Sequence, residues 1–349
     1  IWAHSFMMLF TVLPPFVLGF LFTTYPRWMN GPEVPRGAYL GCGAALLGAE
    51  LCWLAGLHGS HSLLLVACTL AGAGLLVGLV ALLGVMLDAQ KIVPHAVITS
   101  IALSVAVVSL GGFAWGLAYS NDFALHFAVR SMIWGALLPV FFAVSHRMIP
   151  FFSIGVIAGY RDWRPLWVLV AVAALCWLRL LLGTLGMLTL LPLLDLLLFA
   201  LTTLCAVRWT SRAARGHPLL WTLYAALAWL PVAMLLQGGR DLGFLLNGRW
   251  ALGLAPVHAL TMGYFGGMLI AMVTRVTMGH SGRPLRMERL MLGCALLVNG
   301  ATVARVAGEL HGEPPAAALL LLTSAALWLT AILTWAGRLG PIYLAPVSY

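Results

Sequence analysis

Three histidines of this chain have the residue type and the spacing for metal chemistry. His4, His126 and His258 each stand near the start of an apolar run long enough to cross a membrane, and the runs recur at similar intervals. Neutral imidazole is the commonest metal ligand, and histidines on opposing helices at one depth are the axial ligands of a b-type haem. The pattern therefore predicts a cofactor site built from these three residues.

The positions of arginines and carboxylates limit which cofactor this site could hold. Arg130 follows His126 by one helical turn, which places both on one helix face, and a guanidinium suits pairing with a haem propionate. No C-x-x-C-H motif occurs, so covalent c-type attachment is excluded. Copper held by two or three histidines is the open alternative. Glu50 and Asp195 are the carboxylates that stand out within the apolar runs, so hard-cation sites and carboxylate proton relays have little support.

A second histidine group lies near the opposite ends of the apolar runs and consists of His95, His146 and His280. We predict a lesser metal site here, with a second haem as one option and anchoring at the headgroup surface as the other. Arg147 directly follows His146, and its positive charge disfavours protonation, which leaves neutral imidazole for a ligand role. His280 follows Gly279 in a GHSGRP turn, and we expect it mainly to support a loop.

Composition defines the class of protein that carries these histidines. Hydrophobic residues make up 62% of the chain and charged residues 8%. Such a chain cannot bury its apolar residues in a water-soluble core, so we predict a polytopic membrane helix bundle. The net charge of +9 then indicates basic cytoplasmic loops, with membrane lipid and no nucleic acid as partner. The six cysteines form no C-x-x-C pair and are interpreted as buried apolar residues.

Apolar windows of about 18 residues or more predict an all-α fold with eleven membrane spans. The loops between them are short, so residues 1–349 are predicted to form a single transmembrane domain. The spans cover residues 2–24, 36–57, 62–87, 92–116, 123–146, 165–185, 187–207, 218–237, 251–278, 290–308 and 315–336.

Basic residues predict the orientation of the spans. Alternate loops hold most of the basic residues, among them Lys91, Arg161 and Arg212, whereas the other loops hold only Arg240 and Arg249. Basic loops face the cytoplasm, so the C-terminus is predicted to be cytoplasmic and the N-terminus to lie outside. An outer start without a signal sequence requires an earlier span. We therefore expect a missing first helix and twelve spans in the full protein.

His4, His126 and His258 are predicted to lie near the outer face, and we call them the outer histidines. The three spans that begin at them share further features. Each ends with an arginine at the inner face, and two carry a glycine nine residues after the histidine, Gly135 and Gly267. These three are the first, fifth and ninth of the predicted spans, so each is four spans from the next. With the missing helix restored, the chain is predicted to be three four-helix units in parallel repeat. The arginines are Arg27, Arg147 and Arg275.

Three segments resemble the signature of the NnrS family of bacterial membrane proteins. They are HALTMGYFGGMLIAMVTRVTMGHSGRPL (258–285), GFLFTTYPRWMNGPEVP (19–35) and HRMIPFFS (146–153). The resemblance implies a twelve-span inner-membrane protein that contains haem and copper and is linked to nitric oxide metabolism and nitrosative stress. Where the family pattern is close to His-x-His-Glu, this chain reads Trp2-Ala3-His4-Ser5. The missing motif residues argue against the copper.

The predicted repeat is also similar to the helix arcs of haem–copper oxidases. Those enzymes have three four-helix arcs, and their second, sixth and tenth helices carry histidines for haem and copper. By that analogy His4 and His258 would face each other across a haem, and His126 would sit towards a second metal. Val257 precedes His258, and residues 165–185 contain no histidine, so a complete binuclear centre is not predicted. Fold analogy alone does not establish function.

Two classes of function remain after these observations. The first is a b-type haem redox protein that transfers electrons or binds nitric oxide, with a quinone or another respiratory subunit as electron partner. As an enzyme it would be an oxidoreductase acting on nitric oxide or a related small molecule. The second is a transporter or channel for copper or a small anion, with histidines and methionines as transient soft ligands. A haem-bearing subunit of a larger respiratory complex is a third option.

Overall fold

A computed structural model describes residues 2–282, 286–312 and 315–344, including every side chain in these ranges except those of His280 and Leu344. Eleven helices in this described part are long and apolar enough to cross a membrane, and no strand occurs within it. The number and order of the predicted spans are therefore confirmed. We number them α1 to α11: Trp2–Met29, Arg36–Gly56, His61–Leu87, Pro94–Ala118, Asp122–Ile154, Leu166–Thr184, Leu188–Trp209, Pro218–Asn247, Ala255–Gly279, Arg289–His311 and Ala316–Tyr343.

The helices begin and end at residues whose chemistry explains the boundaries. Asn121 caps α5, because its side-chain oxygen accepts from the backbone N–H of Ala124 at 3.0 Å. Pro94 and Pro218 open α4 and α8, where a missing backbone N–H has no cost. Between the ends, a helix satisfies its own backbone polar groups, which is a requirement in hydrocarbon. The apolar runs therefore fold as helices along their whole length.

The chain divides into two compact units. Unit 1 comprises Ile1–Arg147 and Pro165–Leu185, and unit 2 comprises Met148–Arg164 and Gly186–Tyr349. Within unit 1, α2 packs on α3, α3 on α4, and α4 on α5 and α6. Within unit 2, α8 packs on α7 and α9, and α10 packs on α9 and α11. Helix neighbours are thus largely neighbours in sequence, as short loops require.

Three of the helices depart from α-helical geometry at corresponding places. Among the described residues, π-helical turns occur at Met7–Val12 in α1, Ser131–Leu137 in α5 and Ala259–Gly266 in α9. Each begins within two turns of the outer histidine of its helix. π-turns are rare in proteins, and those that occur are often found at functional sites. Their placement supports the three-unit repeat, which itself stays a prediction.

The π-turn of α5 is held by its surroundings. The indole N–H of Trp177 donates to the carbonyl of Gly135 at 3.0 Å, so a side chain satisfies a backbone acceptor inside the distorted segment. Gly135 also lies where a Cβ would meet Cγ1 of Val105 at 2.6 Å. A side chain at this position would therefore push α4 away. The glycine identified by its spacing from His126 allows close packing at the π-turn.

Candidate functional site

His258 is the outer histidine of unit 2, and it lies at the start of α9 just before the π-turn. Its side chain is buried, with 8% of the residue exposed. Nδ1 lies 3.1 Å from the carbonyl oxygen of Leu254, which also accepts the backbone N–H of His258 at 3.0 Å. A carbonyl can only accept, so Nδ1 carries the hydrogen and the lone pair of the neutral ring is on Nε2.

A carboxylate lies near the same ring nitrogen, Nδ1 of His258. Glu309, near the end of α10, places Oε1 3.8 Å from Nδ1 of His258 and 3.1 Å from the guanidinium of Arg305. Oε2 of Glu309 accepts the backbone N–H of Leu254 at 3.3 Å. Glu309 lies one residue beyond the predicted span 290–308, and the sequence analysis missed this contact. The residue falls at the end of an apolar run, where a hydropathy window gives no sign of a partner.

The outer histidines of unit 1 have a different environment. His4 and His126 are both exposed on the unit. The ring of His126 packs edge-on against Trp2, with centroids 4.8 Å apart, so the starts of α1 and α5 lie together as the repeat predicts. Arg130 is exposed on the same helix as His126. His4 and His258 belong to different units, and their pairing across a haem stays a prediction.

The hydrogen bond of His258 suits a metal ligand. Metal-bound histidines usually donate the second ring N–H to a carbonyl or carboxylate, which is the arrangement at Nδ1 of His258. Within the part of the chain that the structure describes, no three His, Cys, Asp or Glu side chains are grouped as a metal site. A haem needs only one or two histidines from the protein, so the described side chains are compatible with it.

Two of the three inner histidines come together in unit 1. His95 on α4 and His146 on α5 are buried, with 5% and 0% of the residues exposed. Nε2 of His95 lies 3.0 Å from Nδ1 of His146, and Nε2 of His146 lies 3.2 Å from the carbonyl oxygen of Pro165. The nitrogens point at each other and not at a common third atom, unlike opposed axial ligands. The third member, His280, has its side chain outside the described residues.

Aromatic and hydroxyl groups complete the surroundings of this histidine pair. The ring of Trp28 lies against His95 at 6.1 Å between centroids, and the guanidinium of Arg147 stacks over Trp28 at 5.2 Å. One helix turn away, the hydroxyl of Tyr25 lies 2.6 Å from that of Ser100. Tyr25 and Trp28 belong to the segment 19–35, and Arg147 to the segment 146–153. Two segments singled out by sequence thus converge on His95.

Unit 2 contains a similar arginine–aromatic contact. The guanidinium of Arg275 on α9 lies 4.0 Å from the ring centroid of Phe152 at the end of α5. In unit 1 the arginine at the inner end of α5 stacks on Trp28 of α1. Arg147 and Arg275 therefore each contact an aromatic residue at the end of the preceding histidine-bearing helix. Cation–π contacts of this kind are worth about 0.5–2 kcal/mol.

Sequence reasoning also missed a buried cation in unit 1. Arg179 is 7% exposed, although it lies within the apolar helix α6. Its guanidinium stacks over the ring of Trp134 in the π-turn of α5, 3.9 Å from the centroid. An ionisable residue inside an apolar run is a signal in itself, and the search for histidines passed over it.

Comparisons with known proteins identify one relationship. The sequence profile of the family described as "NnrS protein" matches residues 1–346, which is nearly the whole chain. No curated protein matches the chain, and no solved structure does.

Proposed function

The chain belongs to the NnrS family, and from this premise we propose that it is a membrane b-type haem protein of nitric oxide metabolism, which binds nitric oxide or passes electrons. Family membership fits a membrane protein related to nitric oxide. The haem assignment rests on the side chains of this chain, of which His258 carries the most weight.

The supporting observation is the state of the His258 ring. It is a buried imidazole with Nδ1 committed to the carbonyl of Leu254, so Nε2 is the coordinating nitrogen. It also directly precedes a π-turn, a geometry found frequently at functional sites. The hydrogen bond alone would also suit a satisfied core histidine, whereas such a histidine would not need the adjacent π-turn. The combination favours a ligand role.

Other residues have supporting roles in the proposal. The second ligand, His4, is assigned from sequence spacing alone, and His126 is the alternative to His258 as the partner of His4. Arg130, one turn from His126, would neutralise a propionate through its guanidinium. A bound haem would supply an iron that changes oxidation state and can bind nitric oxide. The surrounding apolar helices would exclude water and hold the imidazoles in place.

Charge in the loops supports the placement of the protein. Basic residues in alternate loops favour the bacterial inner membrane, with the C-terminus in the cytoplasm. The described loops are short, with none long enough for a soluble redox domain. Electrons would therefore come from a quinone or from another subunit. Copper is not included, because the donor set at its motif is incomplete.

Absorption spectroscopy of the purified protein tests the proposal. We expect a Soret band that shifts on reduction and a b-type pyridine haemochrome, with copper well below the haem content in the same sample. Absence of a Soret band would contradict the proposal. Substrate-dependent flux of copper or a small anion in proteoliposomes, without stoichiometric haem, would favour a transporter instead.

A further inference from the structure

Glu309 is a partly buried carboxylate with three contacts, all within unit 2. Its oxygens lie 3.1 Å from the guanidinium of Arg305, 3.3 Å from the backbone nitrogen of Leu254 and 3.8 Å from Nδ1 of His258. Arg305 is one helical turn earlier on α10, so an ion pair within one helix holds the carboxylate in place. A negative charge is therefore fixed beside His258.

The loop before α9 is shaped around this carboxylate. Leu252 has a φ of 67°, an uncommon conformation for a branched side chain, and Gly253 has a φ of 51°. A Cβ on Gly253 would lie 2.8 Å from Oε2 of Glu309. Only glycine lets the backbone come this close. Strained backbone persists where the surrounding contacts determine it, and it is often part of a functional site.

Leu254 connects the carboxylate to the imidazole. Its N–H donates to Glu309, and its carbonyl accepts both the backbone N–H and Nδ1 of His258, at 3.0 and 3.1 Å. Glu309 thus holds the N–H of the same residue whose carbonyl accepts from His258. The carbonyl in turn fixes the tautomer and the direction of the His258 ring.

From these contacts we infer that Glu309 is a positioning residue that sets the tautomer and raises the donor strength of His258 as a metal ligand. The expected effects on the haem rest on the proposed function. The expected tautomer of His258 does not. A carboxylate near the second ring nitrogen makes the coordinating nitrogen more basic, as in the carboxylate–histidine pairs of metal sites. A more basic ligand stabilises the oxidised iron. Loss of the charge should therefore raise the reduction potential of the haem.

The Glu309→Gln variant of the full chain tests the charge. Glutamine keeps the size and can still accept from Leu254, so its effect isolates the negative charge. We expect haem to stay bound with an upward shift of its midpoint potential. Glu288→Gln is the matched control, because Glu288 lies at the opposite end of α10 and pairs with Arg338 at 2.8 Å. It should leave the potential unchanged. An unchanged potential in Glu309→Gln would overturn the inference.

A second pair of variants tests the loop. Gly253→Ala would drive the carboxylate away from Leu254, and should shift the potential in the same direction with a partial loss of haem. Gly248→Ala is its control: Gly248 has a φ of 65°, and a Cβ added there would meet nothing within 4 Å. Equal behaviour of the two alanine variants would reduce the effect to backbone strain and contradict a role for Glu309.

The tautomer can be read without any haem. Nitrogen-15 NMR of histidine-labelled protein, with His258→Ala to assign the signal, should show hydrogen on Nδ1 of His258 in the haem-free wild type. Glu309→Ala, which removes the acceptor of the Leu254 N–H together with the charge, should mix the two tautomers. Hydrogen on Nε2 in the wild type would overturn the inference. Absence of haem from every preparation would instead defeat the proposed function and leave the NMR result to decide the inference.

Discussion

His258 and the His95–His146 pair are all buried, yet their ring nitrogens are satisfied in different ways. His258 donates from Nδ1 to a backbone carbonyl, and a carboxylate lies close by. In the pair, Nε2 of His146 donates to the carbonyl of Pro165, so its Nδ1 accepts from Nε2 of His95. His258 is thus oriented by a backbone carbonyl of its own helix start, whereas His95 and His146 are hydrogen-bonded to each other.

This difference shows that burial alone does not mark a ligand. An imidazole with its donor fixed by the backbone is oriented for coordination through the other nitrogen. Two imidazoles that hydrogen-bond each other are satisfied by the fold and hold two helices, α4 and α5, in register. The first arrangement suggests chemistry, and the second suggests structure. Substitution of each histidine separates these roles.

The largest effect is expected at His258. His258→Ala removes a proposed axial ligand, so we expect haem loss or conversion to a high-spin spectrum at unchanged protein yield. His280→Ala should keep the wild-type spectrum, because His280 is expected to support only a loop. Absorption spectra of both purified variants provide the measurement. A normal low-spin spectrum in His258→Ala would defeat the assignment and make His126 the first alternative partner of His4.

A smaller effect, on stability and not on the spectrum, is expected for the buried pair. His146→Ala leaves His95 and the carbonyl of Pro165 without their partner, at a cost of about 1–3 kcal/mol. Unfolding of the detergent-solubilised protein should show the loss, whereas His58→Ala, at an exposed loop position, should not. Haem content should stay at the wild-type level. Loss of haem without loss of stability would assign the pair to a metal site.

The smallest effect is expected at Tyr160, where a hydroxyl serves structure alone. Tyr160 lies in the loop after α5 and donates to the carbonyl of Trp209 at 3.0 Å, and burial raises its pKa to about 12. Since the pKa is about 10 in the unfolded chain, the contribution to stability is complete below that pH and is lost as pH rises towards 12. The difference in unfolding temperature between wild type and Tyr160→Phe should shrink over this range. A constant difference would contradict the assigned hydrogen bond.

The spans could be predicted from sequence because hydropathy is a local property. Each apolar run forms a helix whatever its neighbours do, so all eleven were found, although α5, α8 and α11 continue well beyond their predicted ends, to Ile154, Asn247 and Tyr343. The similar level of His95 and His146 along their helices was predicted for the same reason. Their contact was not, because it depends on the rotation of α4 against α5. That rotation is set by packing and leaves no mark in a hydropathy window.

The environment of His258 could not be predicted from the sequence, for a related reason. Glu309 is more than fifty residues away in the chain, and only the folding of α10 beside α9 brings it to the ring. The exposure of His4 and His126 was equally hidden, since equal depth along a helix says nothing about which side faces a neighbour. The lone arginine of α6 could have been noticed. Its type and its apolar surroundings were visible in the sequence.

The π-turns have a consequence for how these helices could be engineered. A π-turn accommodates one additional residue in a helix, and one residue corresponds to about 100° of rotation and 1.5 Å of rise. In α5 the π-turn lies between His126 and His146. It therefore changes the direction in which His126 points relative to His146. Deleting one residue from Ser131–Leu137 would restore an unbroken α-helix and turn His126 away from Trp2, while the buried pair would stay in place. The outer end of the bundle can thus be reset without rebuilding the inner end.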